Sequence, residues 1–197
     1  MAAEFRRDFW LIAPYAAWMA LMALLPQTAW AYAVRGGATA LLLTCGAVFT
    51  PAWRRPRFGA LPLAAGVAAG VAVFAVWIAP DILFGPSATV VAADSPYSPE
   101  VCGLGLTVLK LAASAFVIPA AEELFFRRWL VDFAGFWWMV VLFAVEHGDR
   151  WHVGALAGIG YGLLAKRYGL LSAIVAHSVT NLVLGLYVIL ANQWQYW

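Results

Sequence analysis

The chain has 197 residues, of which 64% are hydrophobic and 11% charged, with a formal net charge of +2. A soluble domain of this size carries about a quarter charged residues, so the composition excludes a water-soluble enzyme, and no nucleic-acid partner is expected. It describes an all-α, polytopic transmembrane helical bundle, with room for about seven spanning helices and none for a separate soluble domain.

The first apolar run, Phe9 to Leu25, follows Arg6 and Arg7 and superficially resembles a signal peptide. It has no convincing small-residue cleavage site and more spans follow, so it reads as a retained first helix. Apolar runs bounded by charge or by Pro/Gly clusters predict helices at 9–26, 29–50, 59–79, 101–133, 136–147, 152–165 and 169–191. They form one integral membrane domain over 1–197, with N-terminal helices in 1–100 and a helical core over 101–191. The segments 136–147 and 152–165 are short for a span and must tilt or pack inside the bundle. Cys45 and Cys102 lack metal-type spacing and read as small packing residues.

The stretch from Pro80 to Glu100 holds Asp81, Asp94, Glu100 and four prolines but no Lys or Arg, and reads as the one sizeable external loop. Gly154, Gly158 and Gly162, at four-residue spacing, form a small face that permits close helix contact. If the helices alternate, Arg6, Arg7, Arg54, Arg55, Arg57, Arg127, Arg128, Lys166 and Arg167 fall on one side, and Arg35 and Arg150 on the other. The positive-inside rule then puts the N-terminus in the cytoplasm. Trp10, Trp30, Trp53, Trp77, Trp151, Trp194 and Trp197 lie near span ends, where interfacial anchoring accounts for them. Lys110, inside a span, snorkels or pairs within the bundle.

Against this apolar background the adjacent Glu122 and Glu123 stand out, because a carboxylate at bilayer depth costs at least a few kcal/mol. Glu122 lies about twelve residues before the turn at Ala134-Gly135 and His147 about twelve after it. At about 1.5 Å per residue both are roughly 18 Å from that turn. His177 and Asn181 enter from the same side, at roughly 12–18 Å, so the four side chains can converge if the helix faces cooperate. Glu123 and Arg127 are four apart with the acid N-terminal, the better order for a helical ion pair. That pairing leaves Glu122, about 100° away on the helix, to face a cavity and act on water beside a histidine. His177 and Asn181 share a helix face and can both donate to a developing oxyanion. The structural alternatives are a helix–helix hydrogen bond for each histidine or asparagine and a plain salt bridge for the glutamates. Glu146, beside His147, has an open role.

These residues resemble the intramembrane endopeptidases that include the CAAX prenyl proteases and bacteriocin-processing enzymes. Glu122-Glu123-Leu-Phe-Phe-Arg127 matches a Glu-Glu-x-x-x-Arg motif, Phe143-Ala-Val-Glu-His147 a Phe-x-x-x-His motif, and His177-Ser-Val-Thr-Asn181 a His-x-x-x-Asn motif. The resemblance implies a peptidase in which Glu122 and His147 activate water while His177 and Asn181 form the oxyanion pocket. It departs from many members in placing Arg128 and Trp129 where glycine follows the motif arginine. The ending Ala-His-Ser-Val-Thr-Asn-Leu is similar to bacterial prenyl-protease-related proteins that accompany sorting of C-terminally tagged surface proteins, which implies a bacterial cell membrane. The expected partners are the bilayer and a peptide or protein substrate. No cofactor is favoured, although two histidines and a carboxylate would also suit zinc. Two other readings stand: a non-catalytic peptide-binding or immunity protein, and a small transporter using the glutamates as a proton relay.

Overall fold

The computed structural model describes residues 2–49, 59–85 and 90–197; Trp53, Arg54, Arg55 and Arg57, used above for orientation and anchoring, lie outside the described residues. Seven long helices run through the described residues: α1 (Ala2–Leu24), α2 (Ala29–Phe49), α3 (Ala60–Phe84), α4 (Leu104–Ala134), α5 (Phe136–Glu146), α6 (Trp151–Tyr168) and α7 (Leu170–Ala191). Four of them, α2, α3, α4 and α7, are long and apolar enough to cross a membrane. In α1 the charges at Glu4, Arg7 and Asp8 shorten the apolar stretch. The outward faces of α2, α3 and α4 carry exposed Leu41, Leu61, Val67, Val71, Val108 and Phe116. A continuous apolar exterior of this kind is costly in water and is at home against lipid, so the chain is an integral membrane protein.

The third helix runs one turn beyond the expected end at 79, because Pro80 is tolerated inside it. Proline removes one backbone donor, but the added turn brings Asp81 Oδ2 to 2.6 Å from Arg150 Nη2. Arg150 also donates to the Trp77 carbonyl at 3.1 Å. Asp81 is therefore part of a helix end and not of the loop that follows it.

Close helix contact depends on glycine. A Cβ on Gly70 of α3 would lie 2.5 Å from the Ala176 carbonyl oxygen of α7, and one on Gly66 would lie 2.8 Å from that of Ser172. At this approach the Thr180 hydroxyl donates to Gly70 O at 2.8 Å, and the Tyr161 hydroxyl donates to Thr180 Oγ at 2.7 Å, so α3, α6 and α7 are locked together. The Gly154, Gly158 and Gly162 stripe of α6 packs on α5, against His147, Phe143 and Phe136 in turn. Two of the tryptophans assigned to the interface have other roles. Trp194 is buried in the protein, and Trp77 packs its ring 5.2 Å from that of His147.

Gly70→Ala should therefore lower stability by about 1–3 kcal/mol through overpacking. Gly37→Ala, where nothing lies within 4 Å of the added carbon, should be neutral or slightly stabilising. Thermal unfolding of both variants in detergent tests the α3–α7 contact, and equal behaviour would contradict it.

Candidate active site

The fourth helix is not regular. Its backbone widens into π turns at Ala113–Val117 and Leu124–Leu130, and the ordinary helical piece between them, Ile118–Glu123, ends with the two glutamates. Pro119 supplies a cause for the first widening, since it has no N–H to return to the carbonyl four residues earlier. Such π stretches re-aim the side chains that follow them.

Glu122 and Glu123 are both buried and point to different partners. Glu123 Oε1 lies 2.9 Å from His177 Nδ1, and its Oε2 lies 3.1 Å from Arg127 Nε. All three groups are almost completely inaccessible, with side-chain exposures of 0% for Glu123, 1% for Arg127 and 5% for His177. The Arg127 guanidinium lies over the Phe143 ring at 4.0 Å, and His177 stacks on Tyr161 with ring centroids 4.9 Å apart. A buried ion is tolerable only with good partners; Glu123 has a cation on one oxygen and an imidazole on the other.

The second nitrogen of His177 faces the other glutamate: Nε2 is 3.7 Å from Glu122 Oε2. One imidazole thus bridges both carboxylates, with Nδ1 donating to Glu123 and Nε2 turned to Glu122. On its other side Glu122 adjoins the carboxyl of Glu146, which also adjoins the Tyr15 hydroxyl from α1. Two ionised carboxylates are both acceptors, so a hydrogen bond between Glu122 and Glu146 needs a proton between them. Tyr15 and Glu146 are the members that sequence reading did not assign. The signal for Glu146 was its place beside His147 at the end of an apolar helix, and Tyr15 gave none.

His147 sits differently from the expectation. It is His177, not His147, that comes within 4 Å of the Glu122 carboxylate. The Nδ1 atom of His147 is 2.6 Å from the Phe143 carbonyl and donates to it, which leaves the Nε2 lone pair as its acceptor. Both imidazoles border the Phe143 ring, at centroid distances of 4.7 Å for His147 and 5.9 Å for His177. Asn181, one turn beyond His177, donates from Nδ2 to Ser114 O at 2.9 Å, across to the first π stretch of α4. Its amide keeps a second hydrogen.

Among the described residues no group of three or more His, Cys, Asp or Glu side chains is arranged to hold a metal ion.

Residues 104–183 match the family described as type II CAAX prenyl endopeptidase Rce1-like. Over this stretch the chain is similar to the CAAX-protease family. The stretch runs from the start of α4 into α7 and contains Glu122, Glu123, Arg127, His147, His177 and Asn181. The matched segment is nevertheless completed from outside itself, since α1 contributes Tyr15 and α3 contributes Trp77. No curated protein and no solved structure matches the chain.

Arg127→Met should destabilise the protein by about 3–5 kcal/mol, because it leaves the Glu123 carboxylate buried without its cation. Adding Glu123→Gln should recover much of that loss. Unfolding of the two single variants and the double variant in mixed micelles checks this, and strictly additive effects would mean that the pair is not coupled.

Proposed function

We propose that this chain is an intramembrane endopeptidase that hydrolyses a peptide bond of a membrane-associated protein or peptide by a metal-free, glutamate-dependent route. The observation that carries the reading is the His177 bridge, in which Nδ1 is clamped by Glu123 and Nε2 is aimed at the buried carboxylate of Glu122. A structural salt bridge needs only Glu123 and Arg127. The second glutamate, brought to the same ring, is explained by chemistry.

In this reading Glu122 takes a proton from water as the oxygen adds to the scissile carbonyl carbon, and the His147 Nε2 lone pair assists in holding that water. The carbonyl electron pair moves onto oxygen. His177 donates from Nε2 to that oxyanion, together with the second amide hydrogen of Asn181. The proton held by Glu122 then passes to the leaving nitrogen as the C–N bond breaks, and the carboxylate is restored. The N-terminus lies in the cytoplasm, and a bacterial cell membrane is the setting that the Ala176–Leu182 motif favours. A C-terminally tagged surface protein is the substrate this points to.

Glu122→Gln should lower cleavage by at least about 10²-fold while the protein remains folded. The measurement is mass spectrometry of an apolar peptide library incubated with purified protein in detergent. Wild-type turnover by this variant would sink the hydrolase reading and leave the peptide-binding one. His177→Ala should reduce kcat by about 10²–10³-fold with a much smaller change in KM.

A further inference from the structure

Glu146 has no task in the hydrolytic steps proposed for this cluster, yet its carboxyl adjoins that of Glu122. It is the last residue of α5, where an acid meets the negative end of the helix dipole and gains nothing for helix stability. Its Oε2 is buried and has no hydrogen-bond partner. The groups that face Glu146 are the Tyr15 hydroxyl from α1 and, from α4, Glu122 together with the charges of Glu123 and Arg127. Three carboxyl groups thus meet one guanidinium, and Arg127 is already held by Glu123.

The ring nitrogen that faces Glu122, His177 Nε2, stands 3.7 Å off, beyond hydrogen-bonding distance. An ionised carboxylate at this depth needs a donor. The neighbouring carboxyl of Glu146 supplies one only while it keeps a proton, and a protonated oxygen no longer needs a donor of its own. Tyr15 completes the arrangement from α1. Its ring stacks on Phe125 at 4.5 Å and stands edge-on to Phe126 at 5.3 Å, which fixes the direction of the hydroxyl beside Glu146.

We propose that Glu146 is a positioning residue for the hydrolytic step: it shares one proton with Glu122 and, oriented by Tyr15, donates to the Glu122 carboxylate while that group takes a proton from water. The proton count closes over the cycle. The pair starts with one proton and gains a second as the water oxygen bonds to the scissile carbon, whose electron pair moves onto the carbonyl oxygen. It gives that second proton to the leaving nitrogen as the carbonyl re-forms and the C–N bond breaks, and so ends with one. The pair works only in its one-proton state: a second resting proton removes the base, and loss of the first removes the donor. The positioning role rests on the peptidase reading, whereas the shared proton does not.

Two measurements on the full chain in detergent test this. Infrared spectroscopy at neutral pH should show a protonated-carboxyl band in the wild type that is absent from Glu146→Gln, whose amide donates to Glu122 without a titratable proton. The second measurement is kcat and KM across pH, on one peptide that the library assay shows to be cut. Glu146→Leu, which removes the donor, should lower kcat by at least about tenfold and change KM by less than about twofold. Glu146→Gln should keep kcat within about threefold of wild type at neutral pH, and its high-pH fall should vanish or move up by at least about one pH unit. Tyr15→Phe, which keeps the stacked ring, should lower kcat about three- to tenfold. With Glu146→Gln it decides the matter if Glu146→Leu fails to fold. Absence of the band, or a band that survives in Glu146→Gln, would overturn the shared proton. Wild-type kcat in Glu146→Leu, a Glu146→Gln pH profile superimposable on wild type, or a Glu146→Gln variant as inactive as Glu122→Gln would overturn the positioning role. A wild-type chain that shows the band but cuts nothing refutes the peptidase reading, and the positioning role with it, while the proton pair stands.

Discussion

The arrangement depends on one buried carboxylate. Glu123 has no access to solvent, so its charge must be met inside the protein, and it is met twice, by Arg127 along its own helix and by His177 across to α7. Removing either partner would leave a charge in a medium that cannot solvate it. That constraint holds the His177 ring at a fixed angle and delivers its second nitrogen to Glu122. The adjacent glutamates take different partners because neighbours on a helix point about 100° apart: one holds Nδ1 of the imidazole, the other faces its Nε2.

Such a cluster inside lipid needs helices that approach closely and a backbone that can depart from regularity without exposing polar groups. Gly66 and Gly70 supply the approach, letting α3 sit on the α7 backbone one turn above and level with His177. The π turns on either side of Ile118–Glu123 supply the departure. They are tolerated because α4 is packed against α1, α2, α5 and α7 at these depths, so widened carbonyls meet protein and not hydrocarbon. Ser114 shows the use of this: its carbonyl, in the first π stretch, receives the Asn181 amide.

Polar groups in the bundle collect in two places, and the tyrosine between them belongs to both. The acidic centre gathers Glu122, Glu123 and Glu146 with Arg127 and His177. The basic one gathers Arg35 and Lys110 under aromatic rings. Tyr32 lies under both cations of the basic centre and reaches Ser114 at the edge of the other.

Much of this was written in the residues themselves. The all-helical membrane class follows from hydropathy, because a bilayer forces each apolar span to satisfy its own backbone. The Glu123–Arg127 pair follows from spacing, because four residues return a helix to the same face. The Glu122, His147, His177 and Asn181 motifs could be placed at one depth by counting rise per residue. Which faces meet could not be counted, since each π turn rotates everything after it. Tertiary packing alone decided that His177 rather than His147 comes to Glu122, that Asn181 spends one hydrogen on Ser114, and that Tyr15 and Glu146 join the cluster. It also decided that Lys110, which had looked like a candidate for snorkelling, is enclosed by rings from α2, the α3–α4 loop and the last residue of the chain. Local rules report what one helix does along its axis, whereas a site inside a bundle is set by rotations about several axes at once, and only packing fixes those.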